Sequence, residues 1–170
     1  MEIKEINGNL LDSDAPCLCQ QVNCQGVMGS GVAKAIRNKW PKVFDAYKEY
    51  VSIARNKSDL LGNILPLTVS DTQRVINYFS QLYYGYDGHR YTDYEAIFQC
   101  LEKTAQYCST NHINRIAMPY KMGAARGGAD WDVIMAMIKS VFKDTDITVE
   151  IWRFDADSPS SPTLTFQSNK

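Results

Sequence analysis

Histidine is nearly absent from this chain of 170 residues: His89 and His112 are the only two. Acid–base chemistry at an imidazole has just those two places to reside. Cysteine occurs five times (Cys17, Cys19, Cys24, Cys100 and Cys108), never with C-x-x-C spacing. An odd set without that spacing indicates neither a disulfide framework nor a zinc site, so reduced thiols in a cytoplasmic protein are expected. No metal site and no resident cofactor is expected. A basic excess is lacking too: 18 Lys and Arg against 19 Asp and Glu leave a net charge of −1. That balance argues against a general nucleic-acid or membrane-binding surface. No apolar run approaches the roughly 18–20 residues of a membrane span. The start, Met1-Glu2-Ile3-Lys4-Glu5, lacks the basic and apolar regions of a signal peptide.

Two common nucleotide motifs are missing as well. Neither G-x-x-x-x-G-K-[ST] nor G-x-G-x-x-G is found, since Gly29-Ser30-Gly31 runs on into Val32-Ala33-Lys34. Two other glycine-rich loops stand out instead: Asn23 to Gly31, and Met118 to Trp131. Each follows a short apolar run that reads as a strand and leads into a segment with helical spacing. A strand–loop–helix of this kind puts free N–H groups and the positive end of a helix dipole in one place, where phosphate is favoured. Two such loops suggest a clamp around a diphosphate.

Strand and helix signals alternate along the chain. Strands are expected at 1–6, 16–22, 62–69, 74–79, 114–118 and 147–154, with turn signals at Asn7-Gly8-Asn9 and Ser70-Asp71. Helical spacing runs from Gly31 to Trp40, restarts at Pro41, follows Thr92 as an expected N-cap, and returns from Asp130 to Phe142, where Val133, Ile134, Met137, Ile138 and Val141 are expected inward. Alternation of this kind implies one α/β domain, three layers deep, whose ligands sit beyond the carboxyl ends of the strands. Residues 155–170 are rich in Ser and Pro, and a flexible tail is expected there.

The motifs, taken in order, resemble those of macro domains: Asn7-Gly8-Asn9-Leu10-Leu11, Val22-Asn23 through Gly31-Val32-Ala33, and Met118-Pro119 through Gly123 to Asp130-Trp131. The resemblance covers residues 1–154 and is nearest the branch of the terminal ADP-ribose protein glycohydrolase, the DNA-ADP-ribose glycohydrolase antitoxins and the ADP-ribose-1″-phosphate phosphatases. It implies a three-layer α/β/α fold around a mixed, mostly parallel six-stranded sheet, and ADP-ribose or an ADP-ribosylated substrate as partner of a monomer. Asn9, where the family usually has Asp, and the neighbouring Leu10 would meet the adenine, with Trp152 and Phe154 flanking it. Asn23 would stand near the distal ribose. Met28, Gly29, Ser30, Gly31 and Val32 would hold the diphosphate from one side, and Pro119, Met122, Gly123, Ala124, Ala125 and Arg126 from the other. Tyr78 and Gln81 would line the distal end.

For catalysis the resemblance implies a lysine after the middle strand and an Asp in the second loop. The matching stretch here, Ile76-Asn77-Tyr78-Phe79-Ser80-Gln81, holds no lysine, and the Asp position falls on Gly127. Asn23, orienting a water, and His89, on a polar loop with Asp87 and Arg90, remain as catalytic candidates. Two readings stay open: hydrolysis of a bond at C1″ of the distal ribose, from a macromolecule or a 1″-phosphate, and recognition of ADP-ribose or a related NAD-derived nucleotide without turnover.

Overall fold

The computed structural model describes residues 1–154 and a strand at 164–167. Seven strands, β1 (Glu2–Asn7), β2 (Cys17–Asn23), β3 (Ile64–Thr68), β4 (Arg74–Gln81), β5 (Arg115–Pro119), β6 (Thr148–Arg153) and β7 (Leu164–Gln167), form one sheet. Their order is β3-β4-β2-β5-β6-β1-β7. The five inner strands run parallel, and β3 and β7 close the edges antiparallel to β4 and β1. Helices α1 (Gly31–Lys39) and α2 (Pro41–Ser52) cover one face; α3 (Tyr94–Thr110) and α4 (Trp131–Phe142) cover the other.

Parallel strands are buried on both faces, so β2 and β4 are buried along nearly their whole length rather than on alternate residues. The pleat still divides them. Leu18, Val22, Val75 and Phe79 pack toward Ile36, Val43, Tyr47 and Val51 of α1 and α2. Cys17, Cys19, Ile76 and Tyr78 pack toward Ile97, Leu101, Ile134 and Ile138 of α3 and α4. Each such side chain, fully buried, contributes about 1.5–3 kcal/mol. Pro41 sits at the start of α2, where its missing N–H costs nothing, and it separates α2 from α1.

The macro-type α/β layering and the six expected strands are present, and a seventh is added. β7 lies in the stretch read as a flexible tail, because four residues are too few to show periodicity against a Ser/Pro background. Residues 155–163 and 168–170 lie outside the described residues. The N-cap of α3 is Asp93, whose side chain accepts from Ala96 N, and not Thr92. Thr92 is drawn away by a stronger demand: its hydroxyl donates to the Gly123 carbonyl at 2.7 Å. Val133 on α4 is exposed, leaving Ile134, Ile138 and Phe142 as the buried stripe.

Among the described residues no helix is long and apolar enough to cross a membrane, and no His/Cys/Asp/Glu cluster could hold a metal. All five cysteines are free and buried. Burial pushes the thiol of Cys24 up to about 11 and that of Cys100 up to about 12. Such thiols stay protonated and unreactive at neutral pH.

Candidate functional site

A cavity of about 240 Å³ opens at the carboxyl ends of β2, β4 and β5, between the two glycine loops. The bulge where β2 shifts register against β4, between Val22 and Asn23, turns the first loop out over the sheet. Asn23 then folds that loop. Its Nδ2 donates to Val27 O at 2.8 Å, and its Oδ1 accepts from Gln25 N at 2.9 Å. From α2, the Tyr47 hydroxyl reaches 2.5 Å from Asn23 O and 2.9 Å from Asn23 Oδ1. Burial pushes the Tyr47 hydroxyl well above its ordinary pKa, so it serves as a donor. The carbonyl oxygen of the Asn23 amide is thereby saturated, and one N–H remains for anything in the cavity.

Beyond this turn, the N–H groups of Met28, Gly29 and Ser30 find no partner among the described residues. They lead into the N-terminus of α1, whose first-turn N–H groups are unpaired by construction. Ser30 is the N-cap of α1 but makes no capping bond. Its Oγ instead accepts from Tyr86 OH at 3.1 Å.

The second loop is held differently. Gly123 has φ of +78°, a conformation glycine adopts without a side-chain clash. Its carbonyl accepts from Ala129 N and Thr92 Oγ1. Gly127 O accepts from the N–H groups of Tyr91 and Thr92. Gln21 Nε2 completes the buried knot, donating to Ser80 Oγ and Thr92 Oγ1 at 2.9 Å each. Any Cβ at Gly127 would stand 2.0 Å from Thr92 Oγ1 and 2.4 Å from Gly123 O. Position 127 is closed to every side chain, including a carboxylate.

Residues 82–92 form an arm from β4 to α3, with Tyr84, Gly85 and Tyr86 in the cavity wall. Tyr86 ties the arm to the first loop through Ser30 and carries the Arg126 guanidinium 5.1 Å from its ring centroid. Asp87 braces the tip. Its Oδ1 accepts from the Tyr91 hydroxyl at 2.8 Å and from His89 N at 3.1 Å, and lies 3.0 Å from His89 Nδ1. The Tyr91 hydroxyl, then the His89 backbone and imidazole, hold the Asp87 carboxyl down to about 2.

Of the sequence-derived candidates, Asn23, Met28, Gly29, Ser30, Gly31, Val32, Gln81, Pro119, Met122, Gly123, Ala125 and Arg126 line this cavity. Ala124, Asn9, Leu10, Trp152, Phe154 and His89 do not. Asn9 caps the short 3₁₀ turn Leu10–Asp12, its side chain accepting from Leu11 N at 3.0 Å. Leu10 is buried, and Phe154 is exposed. Trp152 donates from Nε1 to buried Glu150 at 2.9 Å, and its ring would stand 3.0 Å from a Cβ at Gly8. His89 points outward, its side chain 79% exposed. Tyr78 is overturned as a wall residue: strand alternation sends it to the α3–α4 face, fully buried and bonded to Thr104.

Sequence reasoning missed Gln20, Gln21, Val22, Val27, Ala33, Tyr84, Gly85, Tyr86, Tyr120, Lys121 and Gly127, all in the wall. One signal was available. Gln20-Gln21 interrupts an otherwise apolar strand, and buried amides need partners.

The macro domain family model matches residues 19–138. A "DNA ADP-ribosyl glycohydrolase" of Thermus aquaticus is 23% identical over 156 residues, 90% of this chain and 41% of that protein. The chain thus spans about two fifths of the length of the curated relatives of that name. Among solved structures, the macrodomain of Thermus aquaticus DarG superposes with a TM-score of 0.73 at 22% identity, covering 90% of this chain and 97% of that one. The Thermosipho africanus DarTG in complex with ADP-ribose gives 0.71 at 17% identity, covering 89% and 41%. These likenesses establish the fold, and the family model, covering most of the chain, establishes the lineage: the chain belongs to the macro domain family.

Proposed function

We propose that this macro domain binds ADP-ribose or an ADP-ribose derivative, with the diphosphate between the first loop with the α1 N-terminus and the second loop. One observation carries the reading: Met28, Gly29 and Ser30 line one side of the cavity and Gly123 and Arg126 the other, and their N–H groups have no partner among the described residues. Donors fixed in this way, with a helix dipole behind them, favour an anion. The cavity is smaller than the ~300–1,000 Å³ that encloses a whole drug-sized ligand. The adenine end of the ligand therefore lies outside it, running past Tyr120 toward Trp152 and the Asn9 turn.

The second reading is hydrolysis at C1″ of the distal ribose, and the relatives named as glycohydrolases favour it. The residues present restrict how it would proceed. No lysine follows β4, no carboxylate fits at 127, and His89 faces solvent. Asn23 has only an N–H to offer, so it would hold an attacking water as donor and the ligand's own phosphate would take the proton. Recognition is the stronger conclusion.

Calorimetry with ADP-ribose tests it: a dissociation constant on the order of micromolar is expected. Absence of heat or thermal shift with ADP-ribose, while other nucleotides bind, overturns the reading. Turnover is tested by release from ADP-ribose-1″-phosphate and from mono-ADP-ribosylated DNA and protein, against an Asn23→Ala control. Release above that control would restore the hydrolase.

A further inference from the structure

Near the start of the second glycine loop stands a residue that fits its place badly. Lys121 has φ of +59°, in the left-handed region that a side chain rarely adopts. Its carbonyl accepts from Ala124 N at 2.8 Å and Ala125 N at 3.1 Å, so the turn holds it there. Glycine would make the same turn without a steric cost. Strain kept in the wall of a cavity points to a use for the side chain.

Lys121 is one of two cations at a single ring. Its Nζ stands 5.6 Å from the centroid of Tyr120, and the Arg153 guanidinium stands 4.6 Å from it. The ring itself is fixed. Tyr120 N donates to Trp152 O at 2.8 Å, and the ring sets its edge against Trp131 of α4, centroids 5.5 Å apart. Lys121 and Arg153 are both exposed, and among the described residues neither side chain forms an ion pair or a hydrogen bond. Arg153 pairs in register with Asn7, and its carbonyl accepts from Gly8 N at 2.9 Å, which sets it beside the Asn9 turn. The Asp that the family resemblance implies at position 9 would put an acid on that turn; Asn9 leaves it neutral. Two like charges gathered at one platform repel each other and attract an anion.

In the proposed pose, the diphosphate lies in the cavity and the adenine runs toward Trp152 and Asn9. Only the adenosine ribose lies between them, and it passes Tyr120. Resting on the ADP-ribose reading, we infer that this end of the cleft takes a further phosphate on the adenosine ribose, at O2′ or O3′, held by Lys121 and Arg153. A phosphomonoester brings a charge of about −1.5 to −2 at neutral pH and acceptor oxygens for both cations. A plain ribose brings only neutral hydroxyls. The preferred ligand is therefore a 2′- or 3′-phosphorylated ADP-ribose.

Calorimetry on the wild type compares ADP-ribose with ADP-ribose 2′-phosphate and ADP-ribose 3′-phosphate, which also tells one oxygen from the other. One of the phosphorylated ligands is expected to bind at least about fivefold more tightly than ADP-ribose. Lys121→Gly relieves the strain and is expected to fold as well as the wild type, while the ratio falls at least about threefold. Arg153→Gln is expected to lower the ratio by as much, and it serves if the glycine variant fails to fold. Lys139→Gln removes an exposed charge of α4 outside the cavity wall and is expected to keep the ratio. A smaller wild-type ratio for both phosphates overturns the inference, as does a smaller fall in either folded variant or an equal fall in Lys139→Gln. Wild-type protein that binds none of the three ligands overturns the proposed function, and this inference falls with it. Wild-type protein that binds all three alike overturns the inference alone.

Discussion

At the first glycine loop, order is imposed from outside: Asn23 folds the turn, and Tyr47 on α2 grips Asn23. At the second, order comes from within and beneath, where Gly123 and Gly127 carbonyls collect N–H and hydroxyl donors and no volume is left over. The glycines consequently serve different ends. A Cβ at Gly29 would meet only Val27 Cγ1, at 3.7 Å, so the space there is left open by the protein. The space at Gly127 is already taken by protein. Glycine-rich sequence marks both loops alike, yet Gly29 can be replaced without touching the fold and Gly127 cannot.

The largest effect expected from this contrast is at position 127. Gly127→Asp, which puts back the carboxylate that the family resemblance implies, is expected to destabilise by roughly 3 kcal/mol or more, because backbone and Thr92 must both move. For a chain of this length that is a fall in Tm of about 10 °C, read by calorimetry, with ADP-ribose binding lost. A Tm within a degree or two of wild type breaks the comparison.

Next comes Tyr47→Phe, which removes the donor from Asn23 and leaves the first loop's carbonyl groups short of a partner. A loss of about 1–2 kcal/mol in urea unfolding is expected. Unaltered stability would mean that the loop holds itself. At Gly29, alanine is expected to change stability by no more than about 0.5 kcal/mol, and Gly29→Glu to abolish binding while Tm is kept. A Tm drop comparable to that of Gly127→Asp would erase the distinction between the loops.

The smallest effect concerns the arm that joins them. Asp87, held down to about 2 by Tyr91 and His89, loses its bonds only as pH falls through that value. A depressed carboxyl contributes its full share above its unfolded pKa, so the brace is intact at pH 5 and above and weakens between about 4 and 2. The His89 amide resonance is expected to titrate with a midpoint near 2. A midpoint near 4 would detach Asp87 from the arm.

Much of the fold was legible because parallel strands and amphipathic helices write themselves as runs and stripes. The five inner strands and four helices fall within a few residues of the sequence reading, and the glycine loops sit where ligands of such sheets are found. The site was legible in its backbone and less so in its side chains. Tyr78 was placed on the wrong face because an apolar run gives no parity, and a one-residue slip reverses every side chain. Gln21 escaped notice, and Thr92 read as a cap, because the partners that hold them lie far along the chain. Crowding at Gly127 is legible only in three dimensions.

One consequence lies in the ends of the sheet. β1 is the first strand made, yet it pairs with β6, about 145 residues later, and with β7 beyond it. Pairing across such separations is slow, since the loop must close before any contact rewards it. During synthesis β1 waits, half-formed, until nearly the whole domain has left the ribosome. The strands that carry the cavity, β2, β4 and β5, are complete before then, but the sheet that stiffens them is not. The cavity is thus finished late, and all at once.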